Sequence, residues 1–224
     1  MTEVVHPHLL PIIKDSETVR KTILVNIVKM LVEREWLDRK DWLSESLTHI
    51  SKPSAKLEKF VQNRNENDQY SIKIKNGPKD SVDIILISQK VISITSTPIV
   101  TDFLKSSDNY KLIIVDDVSD KASTHYSGLP NVEIFKKPFF MINITEYICS
   151  PKYEILTEDE TKQLLEEYDL KRKELKKMFE SDPISKYYNL KKGQVVRIIR
   201  PSRQSGEVVD YRIVTKKLAL TRLI

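Results

Sequence analysis

The side chains best suited to chemistry in this 224-residue chain are carboxylates set in or beside apolar runs. Asp83 lies within 82–87, Asp116 and Asp117 follow 112–115, and Glu133 with Lys136 marks 132–135. Two acids and a lysine closing on a divalent cation would be the working parts of a metal-dependent nuclease. That chemistry needs the acid and the lysine on one strand face, two residues apart; Glu133 and Lys136 are three apart and alternate to opposite faces. Acids at strand ends are also ordinary turn formers. A nuclease using Asp83, Asp116 and Glu133 therefore stands only as a second alternative. The four glycines, at 77, 128, 193 and 206, are not spaced to cradle a phosphate. His6 and His8 flank a proline, while His49 and His125 stand alone, without acidic partners at ligand spacing. The single cysteine, Cys149, can neither close an internal disulfide nor build a thiolate zinc site, and reads as a buried, inert thiol. No catalytic residue, metal or cofactor is expected.

The elements that carry these residues read as follows. Val19, Ile23, Ile27 and Met30 or Leu31 recur at helical spacing, so 15–36 is expected as a helix that buries one face, with Asp15, Ser16 and Glu17 at its start. Trp36 and Trp42 read as core aromatics. The polar segment 52–68 reads as a helix end and a solvated loop. Tyr70, Ile72 and Ile74 then alternate with polar residues up to an Asn76-Gly77-Pro78 turn. The runs 82–87 and 112–115 are expected as central strands, joined by a crossover helix over 97–107 with Thr97 as cap and Pro98 in its first turn, and 132–135 as a further strand. This is an α/β domain over 1–143. The apolar runs fall far short of the roughly 20 residues that span a bilayer, and 1–14 lacks a charged leader before an apolar stretch, so a soluble intracellular chain without a membrane partner is expected.

The net charge of +5 is unevenly placed. Residues 1–150 hold 20 basic and 20 acidic side chains, whereas 151–224 hold 17 and 12. Within the latter, 151–185 carry 7 against 10 and 186–224 carry 10 against 2, so a polar helical segment precedes a basic strand region. A basic surface can serve an acidic protein or nucleic acid; without regularly interleaved aromatics it lacks a base-stacking platform, and a stand-alone nucleic-acid adaptor is the first alternative. Thr157-Glu158-Asp159-Glu160 is a capping box, with Leu164, Leu165 and Tyr168 as the buried stripe of its helix. Asp182 before Pro183 starts a second, short helix that Tyr187, Tyr188 and Leu190 end before Gly193 turns the chain. Strands over 195–200 and 208–214 follow, the second expected to pack Val209, Tyr211 and Ile213 on helices while Arg212 points elsewhere.

The run 181–202, containing Asp-Pro, Leu-Lys-Lys-Gly-Gln-Val-Val and Ile-Ile-Arg-Pro-Ser, together with Gly206, Tyr211-Arg212, Asn143-Ile144-Thr145 and Pro151-Lys152, resembles the assembly domain of the fifth subunit of eukaryotic RNA polymerases and its smaller archaeal RNA polymerase counterpart. The likeness covers about 141–215, and the front domain is similar in length and placement to the eukaryotic jaw. It implies an α/β jaw over 1–143 and a small α+β assembly domain over 144–224, with helices and a short mixed sheet. It further implies a non-catalytic subunit of a multisubunit DNA-directed RNA polymerase, one copy per hetero-oligomer, docked on the largest subunit among other subunits, with its jaw beside downstream DNA. Localisation would be nuclear for a cellular enzyme, and in virion or host cytoplasm for a viral one. The docking residues so implied are Pro151, Lys152, Asp182, Pro183, Tyr187, Lys192, Gly193, Arg197, Arg200, Pro201, Ser202, Gly206, Tyr211 and Arg212. Ser119-Asp120-Lys121-Ala122 corresponds to the jaw loop near DNA, without its proline and with an added acid. Tyr147 and Tyr153 stand where the family usually has His, Asn189 where it has Gly, and Arg203-Gln204 where it has Glu-Thr.

Overall fold

The structure is a computed structural model that describes residues 15–44, 52–63, 68–91, 98–147, 150–202 and 204–216. The expectations for Thr97, Cys149, His6, His8, His49, Arg203 and segment 1–14 lie outside these residues. The chain divides into two compact units, 1–143 and 144–224.

In the first unit, α1 (Ser16–Glu33) is followed by α2 (Arg39–Trp42), the short antiparallel pair β1 (Leu43–Ser44) and β2 (Lys52–Pro53), and α3 (Ala55–Gln62). The expected one-faced α1 instead buries Ile23, Leu24, Ile27, Val28, Met30 and Leu31 around most of its girth, because α2 and α3 pack on it as well as the segment 137–140. Trp36 and Trp42 are buried, as expected. The polar segment 52–68 holds a full helix, not a helix end: Ser54 Oγ accepts from the Leu57 N–H, and Leu57 and Val61, four apart, bury one stripe.

A four-stranded sheet follows, in the order β3 (Gln69–Lys73), β4 (Ser81–Val91), β5 (Tyr110–Val118), β6 (Val132–Lys136). β3 is antiparallel to β4, and β4, β5 and β6 are parallel; the continuous apolar runs of β4 and β5 fit strands covered on both faces. The crossover α4 (Pro98–Ser106) forms where expected. α5 (Asp120–Gly128) was not legible as a helix, having few apolar residues beyond Ala122 and Tyr126. Odd-numbered Ile85, Ile87, Ile113 and Val115 form a core with Val100 and Phe103 of α4 and Ala122 and Tyr126 of α5.

The second unit carries β7 (Lys152–Ile155), α6 (Glu158–Glu167), β8 (Lys176–Phe179), α7 (Pro183–Tyr187), β9 (Val195–Ser202) and β10 (Gly206–Thr215). The sheet order is β7-β9-β10-β8, mixed because only β8 runs parallel to its neighbour. The capping box forms: Thr157 Oγ1 accepts from the Glu160 N–H and Glu160 accepts from the Thr157 N–H. Leu164 is buried and Leu165 partly so, but Tyr168 is 56% exposed because the helix ends there. The polar helical segment expected before residue 185 contains β7 and β8 as well as α6, and Lys171 and Lys173 lie at a single 3-10 turn. Both faces of the sheet are covered away from the β9–β10 hairpin, where Val209, expected to pack on helices, is exposed. Val195, Tyr211 and Ile213 pack with Leu164 and Leu175, while Val196, Ile198 and Val214 pack with Leu190 and Tyr188.

Candidate docking face

Strand pairing sorts the implied docking residues onto two surfaces, since residues paired across a ladder share a face. Arg197 pairs with Tyr211 and Glu154, on the face of α6; Arg200 pairs with Val208, and Arg212 with Val196, on the face of α7. The three arginines of the implied set are thus divided between the faces. On the first face Arg197 bonds Glu154 (3.2 Å), which also meets Lys152 (2.7 Å), and the guanidinium lies 5.8 Å from the Tyr211 ring centre. The Lys152 bond, with help from Arg197, outweighs burial and holds the Glu154 carboxyl below its ordinary range. On the second face the Asp210 carboxylate meets Lys176 (2.9 Å), Arg200 (3.1 Å) and Arg212 (3.4 Å). Burial raises the Asp210 pKa, but the bonds from Lys176 and Arg212 prevail and leave it lowered.

The remaining residues divide into supports and exposed tips. Asp182 caps α7 by accepting from the Ile184 N–H (2.9 Å), and Pro183 fills its first position. Tyr187 is only 2% exposed, packed edge-on against Tyr188, so it supports the fold and offers almost no surface of its own to a partner. The Lys192 N–H donates to Glu180 (3.1 Å), and Gly193, at φ 96°, donates to the Val214 carbonyl (2.9 Å). Ser202 Oγ accepts from the N–H groups of Gln204 and Ser205, shaping the hairpin, with Gly206 at φ 74°. Pro201 and Lys152 are exposed, and Pro151 half-buried. Sequence reasoning missed Asp210 and Lys176, which belong to this cluster.

In the first unit, Ser119-Asp120-Lys121-Ala122 is the start of α5 and not a loop. Ser119 Oγ accepts from the Ala122 N–H (3.3 Å), and Ala122 is buried. The three carboxylates of the nuclease alternative are not brought together. Asp83 pairs with Lys111 and Glu133 with Leu112, adjacent positions of β5 that face opposite ways. Asp116 lies five residues further along β5 than Lys111, about 16 Å at strand rise. Each has its own partners: Asp83 accepts from Ser71, Ser107 and Asn109, Asp116 pairs with Lys137, and Glu133 with Arg34. Among the described residues no group of three or more His, Cys, Asp or Glu could hold a metal ion, and no helix is long and apolar enough to cross a membrane.

The family model for the C-terminal domain of RNA polymerase Rpb5 matches residues 142–214, the span that holds the second unit's sheet and both charged faces. The chain is also 33% identical over 212 residues to "DNA-directed RNA polymerase subunit 5" of Acanthamoeba polyphaga mimivirus, covering 92% of this chain and 97% of that protein. The chain belongs to the RNA polymerase subunit 5 family. Likeness extends to the Dictyostelium discoideum "DNA-directed RNA polymerases I, II, and III subunit rpabc1", 28% identical over 87% of this chain and 94% of that protein. The Caenorhabditis elegans "DNA-directed RNA polymerases I, II, and III subunit RPABC1" is 40% identical over 83 residues, 37% of this chain and 39% of that protein. A subunit 5 protein is a non-catalytic part of a multisubunit enzyme whose active site lies in other chains. Membership overturns both the nuclease and the stand-alone adaptor alternatives.

Proposed function

We propose that this subunit 5 chain docks through its 144–224 unit on the largest subunit of its polymerase, one copy per enzyme, and that its 1–143 unit forms the jaw beside downstream DNA, with the start of α5 on the DNA side. The contact residues are the exposed Lys152, Arg200, Pro201 and Gly206 of the implied set together with the half-buried Arg197 and Arg212. Asp182, Pro183, Tyr187, Lys192 and Gly193 hold them in place. The enzyme works in the nucleus if it is cellular and at a viral transcription site if it is viral. The observation that carries the reading is that the family-matched span coincides with a unit whose open hairpin displays arginines, which anchor interfaces through planar, multiply bonded contacts.

Pull-down of the largest subunit with full-length variants tests it. Arg200→Glu reverses a charge facing a complementary partner and should cost on the order of several kcal/mol of binding. Lys173→Glu, at the exposed turn, should cost about 0.5 kcal/mol or less. Equal recovery with the two variants, both folded, would place the docking surface elsewhere.

A further inference from the structure

Three cations from three different strands converge on one carboxylate: Lys176 of β8, Arg200 of β9 and Arg212 of β10 all meet Asp210. The carboxylate is sunk at 11% side-chain exposure, whereas Arg200 is 47% and Lys176 71% exposed. The four side chains keep a net charge of +2 at the surface, and two carboxylate oxygens cannot satisfy all the donors of two guanidinium groups and an ammonium. Exposed Val208, the cross-strand partner of Arg200, adds an apolar rim on the same face.

We propose that Asp210 is a positioning residue that gathers Lys176, Arg200 and Arg212 into a receptor for an acidic segment of a neighbouring polymerase subunit, an inference that rests on the docking reading above. Like charges left to themselves would spread apart; one low-lying anion holds them within reach of an acidic segment, two of whose carboxylates would complete the charge balance. The pattern disfavours nucleic acid. A phosphate backbone is tracked by a line of cations and stacking aromatics, whereas these cations meet at one point around an anion, and Tyr153 on this face is packed with Tyr188.

The test uses the full chain, immobilised, and the other subunits of its own polymerase co-expressed without it. Lys176→Glu should weaken retention about 10-fold or more, and Asp210→Asn about 5-fold, both differences shrinking between low and high salt. Because Lys176 acts through its gathering on Asp210, Lys176→Glu in the Asp210→Asn background should cost only about 2-fold, a non-additivity that a merely structural role would not produce. Asp210→Glu should restore part of the loss. Lys162→Glu on α6 is the control, and matched thermal melts exclude misfolding. Full retention of Lys176→Glu, additive effects, or retention of duplex DNA in place of the subunits with the same dependence on Lys176 would each overturn the inference while leaving the docking reading open to its own test. Failure of the unaltered chain to retain any subunit would overturn both.

Discussion

Glu133→Gln should destabilise the first unit sharply. The two Arg34 guanidinium nitrogens each lie 2.9 Å from one Glu133 oxygen, a paired contact between α1 and β6, with Arg34 at 1% and Glu133 at 15% side-chain exposure. Arg34 also lies 5.1 Å from the Trp36 ring centre, and the Tyr110 hydroxyl donates to Glu133. Burial, then the Glu133 charge, pushes the Tyr110 pKa well above its ordinary value, so the phenol stays a donor at all working pH. Glutamine keeps the shape but removes the negative charge that faces the buried Arg34 guanidinium, a loss of about 3–5 kcal/mol for a fully buried pair. Partial exposure of Glu133 argues for the lower end, about 3 kcal/mol, which for a unit of this size is a fall in Tm of about 10 °C. Both tryptophans, Trp36 and Trp42, lie in the first unit, so their fluorescence during heating reports this unit alone. Replacing both partners, Arg34→Met with Glu133→Leu, removes both charges and should cost less than the two single losses added. A shift below about 2 °C for Glu133→Gln, or additivity in the double variant, would refute the pair as the anchor of α1 on the sheet.

Three helices end with a side-chain-bearing residue in the left-handed region: Glu35 at φ 62°, Asp169 at 48° and Asn189 at 51°. In each, the next residue's N–H reaches back five positions, Trp36 to Leu31, Leu170 to Leu165 and Leu190 to Ser185. Glycine removes the steric cost there, so Glu35→Gly and Asp169→Gly should each stabilise by about 0.5–1 kcal/mol in urea melts, and a loss of stability would contradict the assignment. The Arg20 hydrogen bond holds the Glu17 carboxyl at about 2, against an ordinary 4.5, while Arg20 also binds Tyr70 and the Val61 carbonyl. A lowered carboxylate gives stability that is complete above 4.5 and lost as pH falls towards 2. The urea midpoint should therefore fall less steeply between pH 5 and pH 2 in Glu17→Gln than in the unaltered chain. A fragment of residues 144–224 should melt cooperatively, because its caps and sheet close on themselves; a featureless melt would show that it needs the first unit.

These left-handed stops explain much of what the sequence hid. Helix ends are usually marked by glycine, yet the chain has four glycines, and Glu35, Asp169 and Asn189 do the work silently. The strong signals were legible: period-two alternation placed β3, continuous apolar runs placed β4 and β5, and Thr157 and Asp182 marked α6 and α7. What failed was weak in local pattern. α5 has a polar exterior and corresponds by resemblance to a loop; α3 sets Leu57, Phe60 and Val61 among charges; β8 carries Lys176 and Lys177 and is a strand only because β10 lies beside it. Tertiary pairing decided those segments, not propensity.

The charged faces failed for a related reason. The count of 10 basic against 2 acidic residues in 186–224 is visible in the sequence, and so is the alternation that sends Arg197 and Arg200 to opposite sides of β9. What no local rule supplies is which anion each cation meets. Arg197 finds Glu154 across 43 positions of chain, and Asp210 draws Lys176 from 34 positions away through a parallel pairing that only the folded sheet creates. One of the two acids in the basic tail thus meets three cations, and the surface that a charge count reads as uniformly basic is in fact two faces: one left with a single positive charge around Glu154, and one that retains two around Asp210. An acidic partner would therefore discriminate between the faces, meeting the larger surplus on the side of α7.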